Sequence, residues 1–265
     1  MSENHPAGQL DPDLVGRLRQ ALTATSANLF QVLQDPAPEV LRAALKNRAL
    51  REEHLLALLK RRDLPEDLLR ALSQLPLVET SHRLKLALAA NPGTPGAVTL
   101  TLLPHLYLFE LLNLCILPGT TPDQRLAAER VILQRLPTVE LGHKLTLARR
   151  GTPVLLAALL REGEPRVVEA CLANGQLREV AILQFLNSAA ASAETISMVA
   201  RHPRWKSRPN LRLAILKNRR TPAIWFTLFL PALRTPDLHN LLAGRRLSPA
   251  QRELVSDELR RRGHG

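Results

Sequence analysis

Apolar residues recur along this chain at three- and four-residue spacing, as in Leu55, Leu56, Leu58, Leu59 and in Val131, Ile132, Leu136. That period lines one face of an α-helix. No strand-length alternation and no β-branched run interrupts it, so the pattern predicts helices throughout. Each apolar stretch is short and ends in a polar turn. The most apolar of them, Ala97 to Leu117, contains Pro104, His105, Glu110 and Asn113. A bilayer span rarely carries all four, so the stretch reads as two buried helices joined near Pro104.

The helix ends repeat. Val40 to Asn47, Leu84 to Asn91, Lys144 to Arg150, Val167 to Asn174 and Leu211 to Asn218 share an apolar register that closes on a polar residue. After each comes a short turn and a second apolar helix. Asn91-Pro-Gly-Thr-Pro95 and Asn218-Arg-Arg-Thr-Pro222 match position for position, and Gly151-Thr-Pro153 is a shorter form. In such a turn, Asn or Gly is expected to take the left-handed conformation that closes a helix. Thr or Ser is expected to cap the next helix, with proline at its first position. Asn47 to Asn91 and Asn174 to Asn218 both span 44 positions, while Arg150 to Asn174 spans 24. One helix pair of about two dozen residues is the expected unit, with some units doubled.

This pattern resembles the HEAT-like superfamily and, more closely, the leucine-rich repeat variant, whose helical repeats carry a similar Asn-Pro-x-Thr-Pro turn. The resemblance runs over about residues 37 to 262, with its best copies at Leu84–Leu103 and Leu211–Leu230. It implies an all-α, right-handed solenoid of helix pairs whose curved surface serves recognition. The reading divides the chain into N-terminal capping helices (1–36), helical repeats (37–247) and a C-terminal capping helix with a basic tail (248–265). Asn174-Gly-Gln-Leu lacks the Thr-Pro of the pattern, and Arg150 stands in place of the Asn. The cysteine cluster of some variant-repeat proteins is missing, so the resemblance implies no iron–sulfur role.

Charge changes the picture. The formal net charge is +12, and residues 196–265 hold 15 Lys/Arg against 4 Asp/Glu. Arg149-Arg150, Arg219-Arg220 and Arg245-Arg246 fall in equivalent turns, which line up along one edge of a stacked solenoid. Arg201, Arg204, Lys206 and Arg208 cluster around Trp205. Together these residues form the expected basic binding face. Plain capping weighs beside binding for each of them, because a cation just past a helix meets the negative end of its dipole. Trp205 either stacks on an unpaired base or plugs a gap between repeats.

Chemistry-bearing motifs are missing. No phosphate-cradling glycine loop, nucleophile elbow, His-Glu-x-x-His or Cys-x-x-Cys occurs. Cys115 and Cys171 each sit among apolar residues and read as small buried hydrophobes. His82 and His143 read as packing or capping residues, and His105 as a satisfied buried histidine. Glu110 and Asn113 form an odd polar pair in an apolar helix, read as an inter-repeat hydrogen bond or a pocket. The polar stretch Met1 to Leu10 contains no signal peptide, which places the expected location in the cytoplasm. The expectation is therefore a non-enzymatic, monomeric scaffold without cofactor or metal. It binds a macromolecular partner, a protein with an acidic surface, through its groove and basic C-terminal face. The alternative is a DNA- or RNA-binding protein. Some HEAT-like proteins are DNA glycosylases that use aromatic, Asp and Arg residues in a concave groove, which Trp225, Asp237 and Arg234 imitate only loosely.

Overall fold

The apolar stripes close into helices of five to fourteen residues. Helices this short are marginal in water alone and depend on packing for their stability. The computed structural model describes residues 11–244 and 246–263, among which every regular element is helical. Arg245 of the expected basic face, and the stretch Met1 to Leu10, lie outside the described residues. None of the described helices is long and apolar enough to cross a membrane.

The chain divides into two compact units, residues 1–134 and 135–265. In the first, α1 (Pro12–Thr23), α2 (Ser26–Val32), α3 (Pro38–Ala44), α4 (Glu52–Leu58) and α5 (Glu66–Ser73) are followed by α6 (Pro76–Thr80) and α7 (His82–Ala90). Then come α8 (Gly96–Leu102), α9 (Leu108–Ile116) and α10 (Pro122–Arg135). Helices pack on their chain neighbour and on the next but one: α1 on α2 and α3, α2 on α4, α3 on α5. Leu29, Leu55, Leu58, Leu68, Leu72, Leu84 and Leu88 fill the space between, all fully buried. Each contributes about 1.5–3 kcal/mol of burial.

The second unit repeats the scheme. Its helices are α11 (Leu141–Arg150), α12 (Pro153–Leu160), α13 (Pro165–Ala173), α14 (Glu179–Leu186) and α15 (Ala193–Arg201). They continue as α16 (Pro209–Lys217), α17 (Ala223–Phe229), α18 (Thr235–Ala243) and α19 (Pro249–Arg261). One row runs α11, α13, α15, and a second runs α12, α14, α16, α18, with α17 packed on α19. Leu155, Val167, Ile182, Phe185, Leu211 and Phe226 form the core. Cys115 and Cys171 are buried in α9 and α13, and burial pushes both thiols up to about 12.

The turns work differently from the sequence expectation. No non-glycine residue among those described has a positive φ, and Asn91, Asn174 and Asn218 close their helices in extended conformation, as do Gly151 and Gly244. Asparagine is used for its side chain instead. The Nδ2 group of Asn91 donates to the Leu59 and Arg61 carbonyls, that of Asn174 to Ala148, and that of Asn218 to Leu186. Asn47 does the same with Ala21 and Ala24. Each amide thereby satisfies carbonyls that the preceding helix of its row leaves free.

The threonines divide into two kinds. Thr152 and Ser248 are N-caps, and Thr121 shares a reciprocal cap with Gln124. Thr94 and Thr221 are not caps. Their hydroxyls turn back and donate to the carbonyls of Leu88 and Ile215, six residues earlier. In those turns proline is the residue before the helix rather than its first. Thr235 is itself the first residue of α18.

Glu258 in α19 binds the final turn. Its carboxylate, 8% exposed, accepts from Arg261 at 2.9 Å and Arg262 at 2.7 Å, and Arg262 also donates to the Leu230 and Leu233 carbonyls. Arg261 first, and then Arg262, hold this carboxyl below the usual carboxylate range. A depressed folded-state pKa adds stability above the ordinary carboxylate pKa of about 4.3. That stability is lost as pH falls through the folded value. Glu258→Gln is therefore expected to melt lower than the parent at neutral pH. The two thermal midpoints should converge in acid; a constant gap from pH 7 to pH 3 (roughly, spanning the carboxylate range) would contradict this role.

Candidate binding groove in the second unit

The second unit holds 22 of the 36 Lys/Arg and 10 of the 24 Asp/Glu, and so the whole net charge of +12. Within it, α14, α16 and α18 frame a groove of ≈ 750 Å³. Helical register explains the lining. Asn210, Leu213, Ala214 and Lys217 stand at i, i+3, i+4 and i+7 on α16, one stripe facing the groove, while Leu211, Ile215 and Leu216 point into the core. Leu183 comes from α14 and Asn187, four residues on, caps its C-terminus; Asn240 and Leu241 come from α18, followed by Gly244, Arg246 and Leu247. The floor is apolar, the walls carry three asparagines, and one end carries Lys217 and Arg246. Among the described residues, no carboxylate, histidine or cysteine lines it.

A recess of ≈ 310 Å³ adjoins the cationic end. It shares Asn187, Lys217 and Arg246 with the groove and adds Arg219 and Arg220. Asn187 orients this corner: its Nδ2 donates to the Leu183 carbonyl at 2.8 Å, and its Oδ1 accepts from the Arg246 guanidinium at 3.2 Å. Lys217 and Arg219 are exposed.

The sequence-derived basic face is split by the structure. Arg220 donates to the carbonyls of Ala189 and Ala191, just past the C-terminus of α14. Arg204 donates to those of Asn174, Gly175 and Leu177, just before its N-terminus. Eight residues of helix, about 12 Å, separate the two ends. Arg149 and Arg150 end α11, whose Ala148 is tied to Asn174, so they belong with Arg204. The expected basic face thus falls into two clusters, with Arg219, Arg220 and Arg246 at one end of α14 and Arg149, Arg150 and, from the Trp205 group, Arg204 at the other. The physical reason is the doubled unit between Asn174 and Asn218. Asn174 ends a helix of the α11–α13–α15 row, whereas Asn218 ends one of the other row.

Arg201, Lys206 and Arg208 are exposed, whereas Trp205 is 3% exposed and its indole N–H donates to the Leu172 carbonyl at 3.0 Å. Arg204 covers the ring at 4.3 Å from its centre. Of the two roles weighed for Trp205, the geometry has it filling the gap between α13 and the loop before α16, with no face open for stacking. Beside it, burial and then Arg204 hold His202 below the usual histidine range. The indole N–H of Trp225 bonds Ser197 at 2.8 Å, and Arg234 pairs with Asp237 one turn away. In the first unit Glu110 bonds His82 across 28 positions, and Asn113 is exposed on the same helix. His105 is exposed, not buried.

Sequence reasoning missed Asn187, Asn210, Leu213, Lys217 and Asn240. The signal was present as the second stripe of α16, overshadowed by the stronger apolar stripe of the core. Comparison with family models, with curated proteins and with solved structures gives no match.

Proposed function

We propose that this chain is a non-enzymatic, cytoplasmic, monomeric scaffold that binds an acidic protein surface through its second unit. In this reading its helix pairs are HEAT-like repeats of the leucine-rich repeat variant kind, wound right-handed. The observation that carries it is the α14–α16–α18 groove, apolar in its floor, cationic at one end and free of carboxylates along its lining. A phosphate backbone finds no partner in Leu183, Leu213 and Leu241, whereas a protein surface offers both apolar side chains and carboxylates. The buried Trp205 removes the sequence's main stacking platform for an unpaired base.

The test is binding of the full chain to labelled polyglutamate, and to single- and double-stranded oligonucleotides, across a salt series. Polyglutamate is expected to bind. Joint reversal of Lys217, Arg219 and Arg246 to Glu should weaken it by about tenfold or more, since each lost charge contact is replaced by repulsion. Arg220 and Arg204 are left intact because they tie the turns together. Oligonucleotides that bind more tightly than polyglutamate near physiological salt, with a steep salt slope, would make the chain a nucleic-acid binder instead.

A further inference from the structure

Resting on that reading, we infer that the groove takes a short extended segment of the partner, crossing α14, α16 and α18 and carrying apolar residues interleaved with carboxylates. The register of the three helices supports this. Leu183 on α14 and Leu213 on α16, both half-buried, form an apolar track, and Leu241 of α18, 2% exposed, closes its floor. One helical turn toward the C-termini stand Asn187 at the C-cap of α14 and Lys217 on α16, with Gly244 and Arg246 following α18. Two transverse tracks result, one of leucine and one of amide and cation. The tracks lie about 5 Å apart, the pitch of one turn. Packed helices stand about 8–10 Å apart, so a strand rising about 3.3 Å per residue passes from one helix to the next in about three residues. About six residues cover the three helices by the same spacing.

The flank opposite the cations carries Asn210 and Asn240, both exposed, with an amide donor and an acceptor each. Such a side chain matches a peptide N–H and C=O together, which a chain in extended form presents and a helix does not. Charge fixes the rest. With Lys217 and Arg246 lining the groove, Arg219 beside them and no lining carboxylate, acidic side chains are favoured on that track and basic ones excluded. A second copy of this chain, a helical segment and a nucleic acid are the competing occupants.

The experiment is fluorescence anisotropy of the full chain with labelled eight-residue peptides of alternating Leu and Glu, of Glu alone, and of alternating Leu and Lys, and with an eight-nucleotide oligo-dT. The Leu-Glu peptide is expected to bind about tenfold more tightly than Glu alone, and the Leu-Lys peptide not measurably. Leu213→Ala should remove the preference for Leu-Glu over Glu alone, while Lys217→Ala weakens both acidic peptides. Asn210→Ala with Asn240→Ala should weaken Leu-Glu by several-fold at unchanged circular dichroism. Equal binding of the Leu-Glu and Glu-only peptides would overturn this inference and leave the acidic-partner reading standing. Failure of both acidic peptides and of polyglutamate would sink both. Tighter binding of oligo-dT, or a chain that dimerises and loses peptide binding as it does so, would also overturn it.

Discussion

Trp205→Ala is expected to destabilise the second unit by about 4 kcal/mol, the range measured for emptying a buried tryptophan site. The ring is 3% exposed, so its removal leaves a cavity rather than a solvated notch. It also leaves the Leu172 carbonyl without the indole N–H that reaches it at 3.0 Å, and Arg204 without the ring it covers. For a unit of this size the thermal midpoint should fall by roughly 15 °C. Trp205→Phe separates the contributions, since it keeps most of the volume and loses the hydrogen bond. Its expected cost is about 1–2 kcal/mol. A variant that kept its stability yet lost affinity for oligonucleotides would return Trp205 to the stacking role that its burial argues against.

The fate of Trp205 shows where the sequence was legible. Period and turn punctuation were enough for an all-helical chain of short neighbouring elements, because burial of one face per helix leaves an unmistakable three- and four-residue spacing. Asn91 and Asn218 were found as repeat markers, but for the wrong reason. Local propensity suggested a left-handed cap, whereas the amide is retained for carbonyls about thirty positions back, a contact that no local rule contains. The arginines illustrate the same limit. Arg204 and Arg220 look like parts of one basic binding face in sequence, yet each closes a turn of the preceding repeat in space. Lys217, which the sequence did not single out, faces the groove together with Arg246, and Arg219 faces the recess beside it. Charge composition located the right unit, but only the helix rows decide which cations remain available.

That distinction joins stability to function in this fold. Carbonyls left at a helix C-terminus must be satisfied, and besides Thr94, Thr221 and the Trp205 indole the chain uses Asn from the same row, Gln from a later helix, and Arg for it. Gln124 donates to the Asn91 carbonyl and Gln251 to those of Arg219 and Thr221, while each also accepts the N–H of its own helix cap, Thr121 or Ser248. The turn that carries Arg219 is therefore held on both sides. A cation on so fixed a turn loses little entropy on meeting a partner, which favours affinity.

Asn91→Ala puts the turn device to its strongest test. The side chain is 3% exposed; its Nδ2 donates to Leu59 at 3.0 Å and Arg61 at 2.7 Å, and its Oδ1 accepts from the Gly93 N–H at 3.0 Å. Truncation leaves two carbonyls and one N–H unsatisfied in a mostly buried turn, an expected loss of about 3 kcal/mol by chemical denaturation. Asn91→Asp should be no better at neutral pH, because it keeps the acceptor for Gly93 but sets a carboxylate against two carbonyl oxygens. Asn174→Ala supplies the contrast. That residue is half-buried, donates to Ala148 alone and accepts from the Gln176 N–H on an exposed turn where water replaces the lost partner, so about 1 kcal/mol is expected from it. If the two alanine variants lost the same stability, the asparagine amide would not be what ties one repeat to the next, and hydrophobic packing between the rows would have to carry that role.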